Sequence, residues 1–251
     1  MILNNDERIN EINENLKLIE LSDGLTFGTD AYLLASFLPR RSKLKGVELG
    51  SGTGVVSFLA LSRKKCAHVY GIEIQERFCE LSRRNAVLNG FEGAFTPINK
   101  NVTDILPSDT DGEVDFAFSN PPYMRVDSGK ANELDKKNIA RHEVCASIDD
   151  FCACAKRVLK HGGSFYVVYR PDRLCDLIFA LRSNNLEPKR LIFIHSNTHS
   201  SPSLALIQAK KGGKGGLIID APIYIYENGT TTYTSRYARI YENCSLEIEN
   251  E

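Results

Sequence analysis

The chain has 251 residues, 42% of them hydrophobic and 25% charged, and a formal net charge of −1, so it has the composition of an ordinary globular protein and no bulk polycation character. A nucleic-acid partner would have to be held by local patches of Lys and Arg. No run of 18 or more apolar residues occurs, which excludes a membrane-spanning helix, and the polar start (Asn4, Asn5, Asp6, Glu7, Arg8) lacks the apolar stretch of a secretory signal, so a cytoplasmic location is expected.

The length suits one α/β domain with additions at its ends: an N-terminal segment (1–45), a core (46–210) and a C-terminal extension (211–251). Residues 1–15 are rich in Asn and Glu and are expected to fray. Leu16–Leu21 reads as a short strand, followed by a turn at Ser22-Asp23-Gly24. Thr29 suits a helix N-cap, with Ala31, Leu34, Ala35 and Leu38 on one face before Pro39 ends the helix. Val47-Glu48-Leu49 is a buried strand entering Gly50-Ser51-Gly52-Thr53-Gly54, and a helix follows over Val55–Arg63. His68–Ile72 is the next strand and ends in Glu73; Gln75–Leu88 is an amphipathic helix stopped by Asn89-Gly90. Phe95–Ile98 and Val114–Phe118 are two further strands.

Residues 124–141 are polar and charged, the character of a lid or substrate loop. A helix over Ser147–Leu159, a turn at Lys160–Gly163, a strand over Ser164–Tyr169 and a helix over Pro171–Ser183 follow. Arg190–His195 and Ser203–Gln208 have no helix between them, which suggests an antiparallel pair at one edge of the sheet. Lys210–Gly216 reads as a flexible basic tract, Asn228-Gly229 as a hairpin turn between Ile223–Tyr226 and Thr230–Thr234, and Glu247–Glu251 as a loose end. Strands alternating with helices predict a doubly wound, mostly parallel sheet.

Three stretches carry chemistry. Glycines at 50, 52 and 54, between a strand and a helix, let a ligand approach the backbone closely. The third glycine falls one place early for a dinucleotide fingerprint, with Val55 in the expected position, and no Lys-Ser/Thr pair follows, so neither that fingerprint nor a phosphate loop is met. Glu73, 19 residues after Gly54 at the end of the next strand, suits ribose hydroxyls. Ser119-Asn120-Pro121-Pro122-Tyr123 stops its strand with two prolines and leaves a rigid elbow bearing one amide, carbonyl acceptors and one aromatic ring.

This order of Glu-x-Gly-x-Gly-x-Gly, a strand-end acid and Asn-Pro-Pro-Tyr resembles the class I S-adenosylmethionine-dependent methyltransferases that act on planar amino groups. The resemblance implies a Rossmann-like sheet of seven strands, mostly parallel, with one antiparallel edge strand and, in this chain, a C-terminal hairpin extension. It implies S-adenosylmethionine as cofactor and a cofactor site of Phe27, Gly28, Thr29, Asp30, Glu48, Gly50, Ser51, Gly52, Gly54, Glu73, Ile74, Asp104 and Asn120. The catalytic elbow it implies is Asn120, Pro121, Pro122 and Tyr123, with the Asn120 side-chain oxygen and the Pro121 carbonyl accepting the two N–H groups of the target amine.

Several families share the elbow. Release-factor glutamine methyltransferases carry a helical domain before the glycine loop, and 49 residues before Gly50 are too few for one. DNA adenine methyltransferases add a target-recognition region, for which no candidate is seen, and guanine-N2 methyltransferases of ribosomal RNA more often carry Phe after the prolines. The closer match is the bacterial family that methylates adenine N6 beside the anticodon of valine tRNA. Gly24 to Ala35 is similar to its N-terminal segment, Ile139-Ala140-Arg141-His142-Glu143 to its segment after the mobile loop, and Lys210 to Gly216 to its basic tract. A tRNA substrate is therefore expected, with Arg40, Arg41, Lys43, Lys45, Lys210, Lys211 and Lys214 as basic patches; methylation of another planar amine, in rRNA or a protein glutamine, and RNA binding without catalysis are the alternatives.

The seven cysteines (Cys66, Cys79, Cys145, Cys152, Cys154, Cys175, Cys244) form no CxxC pair and are expected as reduced thiols. His142, Cys145, Cys152 and Cys154 meet no recognised ligand spacing, so no metal is expected. His195, Ser196, His199 and Ser200 lack a GxSxG elbow and read as a loop rather than a hydrolase site.

Overall fold

The computed structural model describes residues 3–22, 28–121 and 146–246. Two strands open the chain, β1 (Glu7–Asn13) and β2 (Leu16–Leu21), paired antiparallel as a separate two-stranded sheet. Residues 7–13 are thus ordered rather than frayed: β1 gains its partner in β2, and Glu7 an ion pair with Arg84 at 2.8 Å. Then come α1 (Thr29–Phe37), β3 (Lys45–Leu49), α2 (Val55–Ser62), β4 (His68–Glu73), α3 (Glu76–Leu88), β5 (Phe95–Asn99) and β6 (Val114–Ser119). The second half supplies α4 (Ile148–Val158), β7 (Leu159–Tyr169), α5 (Leu174–Ser183), β8 (Leu186–His195), β9 (Pro202–Lys211), the short β10 (Ile218–Ile219) and β11 (Ile223–Tyr224), and α6 (Ser235–Asn243).

The main sheet has nine strands in the order β10-β8-β9-β7-β6-β3-β4-β5, with β11 also on β8. Seven of these are the expected long strands. Parallel pairing holds from β5 to β7, and β9 is antiparallel to both its neighbours. The antiparallel strand is interior: β8 lies outside it, with the short β10 and β11 beyond. Its Ala205, Leu206 and Ile207 are fully buried, which favours a neighbour on each side. Lys160–Gly163 belongs to β7, where a register shift and Gly162 at φ +77° absorb the expected turn.

The C-terminal hairpin reduces to one bridge, Tyr226 with Tyr233. Ile223 and Tyr224 instead extend the main sheet in parallel with β8. Residues 235–243 form a helix that the sequence reading missed: the Thr234 hydroxyl accepts from Tyr237 N, and Tyr237 and Ile240 are buried against the core.

Both sheet faces are covered, as in a doubly wound fold. One core gathers α1, α2 and α6 over Val69, Phe116, Phe118, Val168 and Leu206; the other gathers α4 and α5 over Val47, Leu49, Ile72, Phe165 and Ile207. The chain runs outward from β3 to β4 and β5, then returns to the other side of β3 as β6. The strand order therefore reverses between β3 and β6, and in open α/β sheets ligands bind outside the carboxyl ends of strands at such a point.

Candidate active site

The glycine loop follows β3. Gly50 N and Ser51 N both donate to Ile72 O, at 2.9 and 2.8 Å, and Gly54 N donates to Ser51 O at 2.8 Å. Gly50, Gly52 and Gly54 have φ of +73°, +52° and +88°, values that L side chains rarely adopt. A Cβ at Gly54 would lie 2.5 Å from the Phe58 ring, whereas one at Gly52 would meet nothing within 4 Å. The loop is tight on its inner side and open at Gly52. Gly54 caps α2 directly, so Val55 is the first helical residue and no later glycine is needed.

Two carboxylates brace this loop. Glu48 is buried, and its Oε2 accepts from Ser57 Oγ and from Ser57 N at 3.2 Å, joining β3 to the first turn of α2. Burial pushes its carboxyl up to about 8, with the nearby negative charge of Glu73 acting the same way and the Ser57 hydrogen bonds opposing. Glu73 is 7% exposed; its Oε2 accepts from Gly52 N and its Oε1 from Gln75 N, both at 2.9 Å. Asn99, at the end of β5, donates through Nδ2 to the carbonyls of Glu73 at 2.9 Å and Ile74 at 3.0 Å. Ile74 itself is 47% exposed, an apolar wall beside the acid.

The elbow ends β6 next to the loop. Fully buried Ser119 donates through Oγ to Leu49 O at 2.7 Å, tying the ends of β6 and β3 together. Asn120 Nδ2 donates to Asp30 Oδ2 at 2.7 Å. Asp30 in turn accepts at Oδ1 from Gly28 N at 3.1 Å and Ala31 N at 3.0 Å, which fixes it in the first turn of α1. Pro121 is buried and offers no N–H.

Gly28, Thr29, Asp30, Glu48, Gly50, Ser51, Gly52, Gly54, Glu73, Ile74, Asn120 and Pro121 thus gather at the carboxyl ends of β3, β4 and β6. Asp104 does not join them by hydrogen bonding: it is exposed on a turn beyond β5, and its Oδ1 accepts from Thr103 Oγ1 at 3.0 Å. Phe27, Pro122, Tyr123, His142 and Glu143 lie outside the described residues. Asn99 was missed in sequence, and Ser119 was read as part of the elbow without a role of its own; a buried-strand end carrying a short polar side chain was the available signal.

The basic residues lie at the opposite end of the strands. Arg40, Ser42, Ser62, Arg63 and Lys64 line an open cleft of 530 Å³ where α1 and α2 end. Arg41, Lys43 and Lys45 are exposed nearby. Because β9 runs antiparallel, Lys210 and Lys211 also fall at this end, and they belong to β9 rather than to a flexible tract. Lys211 Nζ donates to Leu159 O and pairs with Glu113 at 3.4 Å, while Lys214 is exposed and its carbonyl accepts from Lys189 Nζ at 3.0 Å.

Cys66, Cys79, Cys152, Cys154, Cys175 and Cys244 are free, and burial pushes the Cys66 and Cys154 thiols up to about 12. Among the described residues no three His, Cys, Asp or Glu side chains gather as a metal site, and no helix is long and apolar enough to cross a membrane.

Comparison with known proteins agrees with this geometry. A protein of Agrobacterium tumefaciens described as a predicted O-methyltransferase superposes with a TM-score of 0.70, covering 88% of this chain and all of that one at 21% identity. A geranyl diphosphate methyltransferase solved with S-adenosylmethionine superposes with a TM-score of 0.51 over 72% of this chain and 83% of its own, at 18% identity. Among curated sequences, the chain is similar to proteins named tRNA1(Val) (adenine(37)-N6)-methyltransferase. That of Phocaeicola vulgatus is 28% identical over 73% of this chain and 76% of its own length, and that of Porphyromonas gingivalis W83 is 24% identical over 86% of each. The sequence profile of the methyltransferase small domain matches residues 22–180, more than half of the chain, and the protein belongs to that family.

Proposed function

We propose that this methyltransferase acts on the exocyclic N6 amine of an adenine in tRNA. Its cofactor is S-adenosylmethionine, whose sulfonium supplies the methyl group already activated for nucleophilic attack. The observation that carries the reading is the bond from Asn120 Nδ2 to Asp30, beside the glycine loop at the β3–β6 reversal.

The residues fit that cofactor. Gly50, Ser51, Gly52 and Gly54 offer a backbone surface that is open at Gly52 to the cofactor's amino-acid part, above the buried brace of Glu48. Glu73, at its strand end, would meet the ribose hydroxyls, and half-exposed Ile74 the face of the adenine ring. Asp104 would approach the ring from its turn, and Gly28, Thr29 and Asp30 would close the opposite side.

An adenine amine is a weak nucleophile because its lone pair is delocalised into the ring, and it carries two N–H donors. The Asn120 oxygen and the Pro121 carbonyl can accept both, which favours a pyramidal nitrogen with its lone pair directed at the methyl group. Asp30 takes a hydrogen of the Asn120 amide and so decides which end of the amide is oxygen. With the cofactor bound, an N–C bond would form as the S–C bond breaks, the S–C electron pair would stay on sulfur, and one amine proton would leave to solvent. Catalysis on this reading is mostly orientation. Tyr123 supplies a ring for stacking on the target base, a contact worth about 1–3 kcal/mol in single-strand recognition.

The tRNA assignment is supported by the names of the curated relatives and by the basic cleft at Arg40, Arg63 and Lys64. Helix α1 has 9 residues and is about 13.5 Å long at about 1.5 Å per residue, with Asp30 in its first turn and the cleft beyond its other end. An RNA that spans this distance over the surface would place phosphates at the cleft and a loop at the elbow. The test is incubation of unmodified tRNA with enzyme and cofactor, followed by mass spectrometry of the nucleosides. N6-methyladenosine is expected in tRNA; product only in parallel arms with ribosomal RNA or a release factor moves the substrate, and no product in any arm overturns the reading.

A further inference from the structure

Helix α3 carries Asn85 and is capped at its C-terminus by Asn89, four residues on, and both side chains bond to β2. Ile19 N donates to Asn85 Oδ1 at 2.6 Å, and Asn85 Nδ2 donates to Ile19 O at 3.2 Å. Lys17 N donates to Asn89 Oδ1 at 3.0 Å, and Asn89 Nδ2 donates to Lys17 O at 2.7 Å. Each side-chain amide thus pairs with one main-chain residue as a neighbouring strand would. The spacing permits it: four helical residues advance about 6 Å and two strand residues about 6.7 Å. The other edge of β2 is paired with β1, so the two asparagines satisfy an edge that would otherwise be open.

Asn85 differs from Asn89 in its burial and in its second partner, since Asn89 Nδ2 donates instead to Asn85 O at 2.8 Å. Asn85 is fully buried, and its Nδ2 also donates to Thr53 O at 3.1 Å, inside the glycine loop. One amide therefore holds the hairpin on one side and the loop on the other. Without it, Ile19 N, Ile19 O and Thr53 O each lose a partner, and unpaired buried polar groups are costly.

We propose that Asn85 is a positioning residue that couples docking of the β1–β2 hairpin to the cofactor-holding shape of residues 50–54. The inference rests on the assignment of that loop to S-adenosylmethionine. Coupling of this kind is reciprocal: a ligand that fixes the loop steadies the hairpin, and a loosened hairpin weakens the ligand. Asn89 is the internal control, because it holds the same strand without touching the loop. The Glu7–Arg84 ion pair also joins the hairpin to α3, and neither substitution removes it.

The test uses S-adenosylhomocysteine as probe. In the wild-type protein, amide exchange at Ile19 is expected to slow on adding the probe by more than exchange at amides of β8 and β9, far from the loop; an equal response overturns the inference. By calorimetric titration, Asn85→Ala is expected to raise the Kd about tenfold, within the usual range of coupling between sites, and Asn89→Ala less than about twofold. Equal losses in the two variants, or none in Asn85→Ala, also overturn it. If Asn85→Ala does not fold, the wild-type exchange measurement decides. A wild-type protein that does not bind the probe removes the loop's cofactor assignment together with this inference, whereas normal wild-type binding with an unresponsive Asn85→Ala removes this inference alone.

Discussion

The two ends of the parallel strands are held by different chemistry. At the carboxyl end, short polar side chains make buried or half-buried hydrogen bonds: Glu48 to Ser57, Glu73 to Gly52 and Gln75, Ser119 to Leu49, Asn120 to Asp30. At the amino end, long charged side chains make ion pairs open to water, such as Lys160 with Asp115 at 2.6 Å and Lys211 with Glu113 at 3.4 Å, beside the cleft of Arg40, Arg63 and Lys64. A buried hydrogen bond fixes position and is expensive to break, while an exposed ion pair contributes about 0–1 kcal/mol and tolerates replacement. The contrast suits an end that must orient a reaction and an end that need only attract a flexible polyanion. Substitutions should therefore cost much at the first end and little at the second.

The largest effect is expected at Asn120. Asn120→Ala should lower kcat by about 10²–10³-fold or more, the scale seen when an oriented hydrogen-bonding partner of the reacting group is removed. Affinity for S-adenosylhomocysteine should stay close to wild type. Single-turnover methylation and a binding titration separate the two, and a large loss of binding would place Asn120 with the cofactor instead of the amine.

Asp30 comes next. Asp30→Ala frees the Asn120 amide to rotate, and kcat should fall about 10–100-fold, as expected for a misplaced catalytic group. Asp30→Asn keeps an acceptor in the same place and should recover part of the loss. Equal damage in both variants would mean that the charge of Asp30, and not its hold on the amide, is what matters.

Asp30 also shows what the sequence could and could not convey. The sheet was legible because each buried strand is followed by a helix or stopped by Gly or Pro, as at Gly50 and Pro121. The glycine loop and Glu73 were legible because their spacing is local. The Asp30–Asn120 bond joins residues 90 positions apart, and only the return of β6 beside β3 brings them together. Strand β1 was hidden because Glu7–Asn13 is polar and poor in residues that favour strands; its order comes from β2 and α3. Helix α6 was hidden behind Asn228-Gly229, a strong hairpin signal that outweighed the cap at Thr234 and the buried pair Tyr237 and Ile240. Asp104 illustrates the reverse case: its place in the family order was readable, but its side chain is exposed and bonded to its neighbour Thr103.

A smaller effect, on stability, is expected at Glu48. Its carboxyl sits at about 8 in the folded protein, against an ordinary value of 4.5. The folded state thus holds a proton that the unfolded chain releases above about 4.5, and stability falls as pH rises from there to about 8. Glu48→Gln, neutral at every pH, should flatten this decline by an amount on the order of a few kcal/mol. Urea denaturation of both proteins at pH 5.5 and 8.5 measures it. An unchanged slope in Glu48→Gln would mean that Glu48 is ionised in the folded protein across this range.

The smallest effect tests the other end of the sheet. Arg40→Ala and Lys64→Ala, alone and together, should leave kcat on saturating tRNA within about twofold and raise KM a fewfold, since each phosphate contact contributes mainly non-specific attraction. The signature is ionic. Each lost contact should lower the slope of log affinity against log salt by about 1, and the double variant by about 2. Cofactor affinity should not change, because the cleft and the glycine loop lie at opposite ends of the strands. If the double variant keeps the wild-type salt slope, the RNA backbone does not reach the cleft, and the RNA must leave the elbow over another face. If kcat falls as far as it does in Asp30→Ala, the contrast between a fixed end and a tolerant end does not hold for this protein.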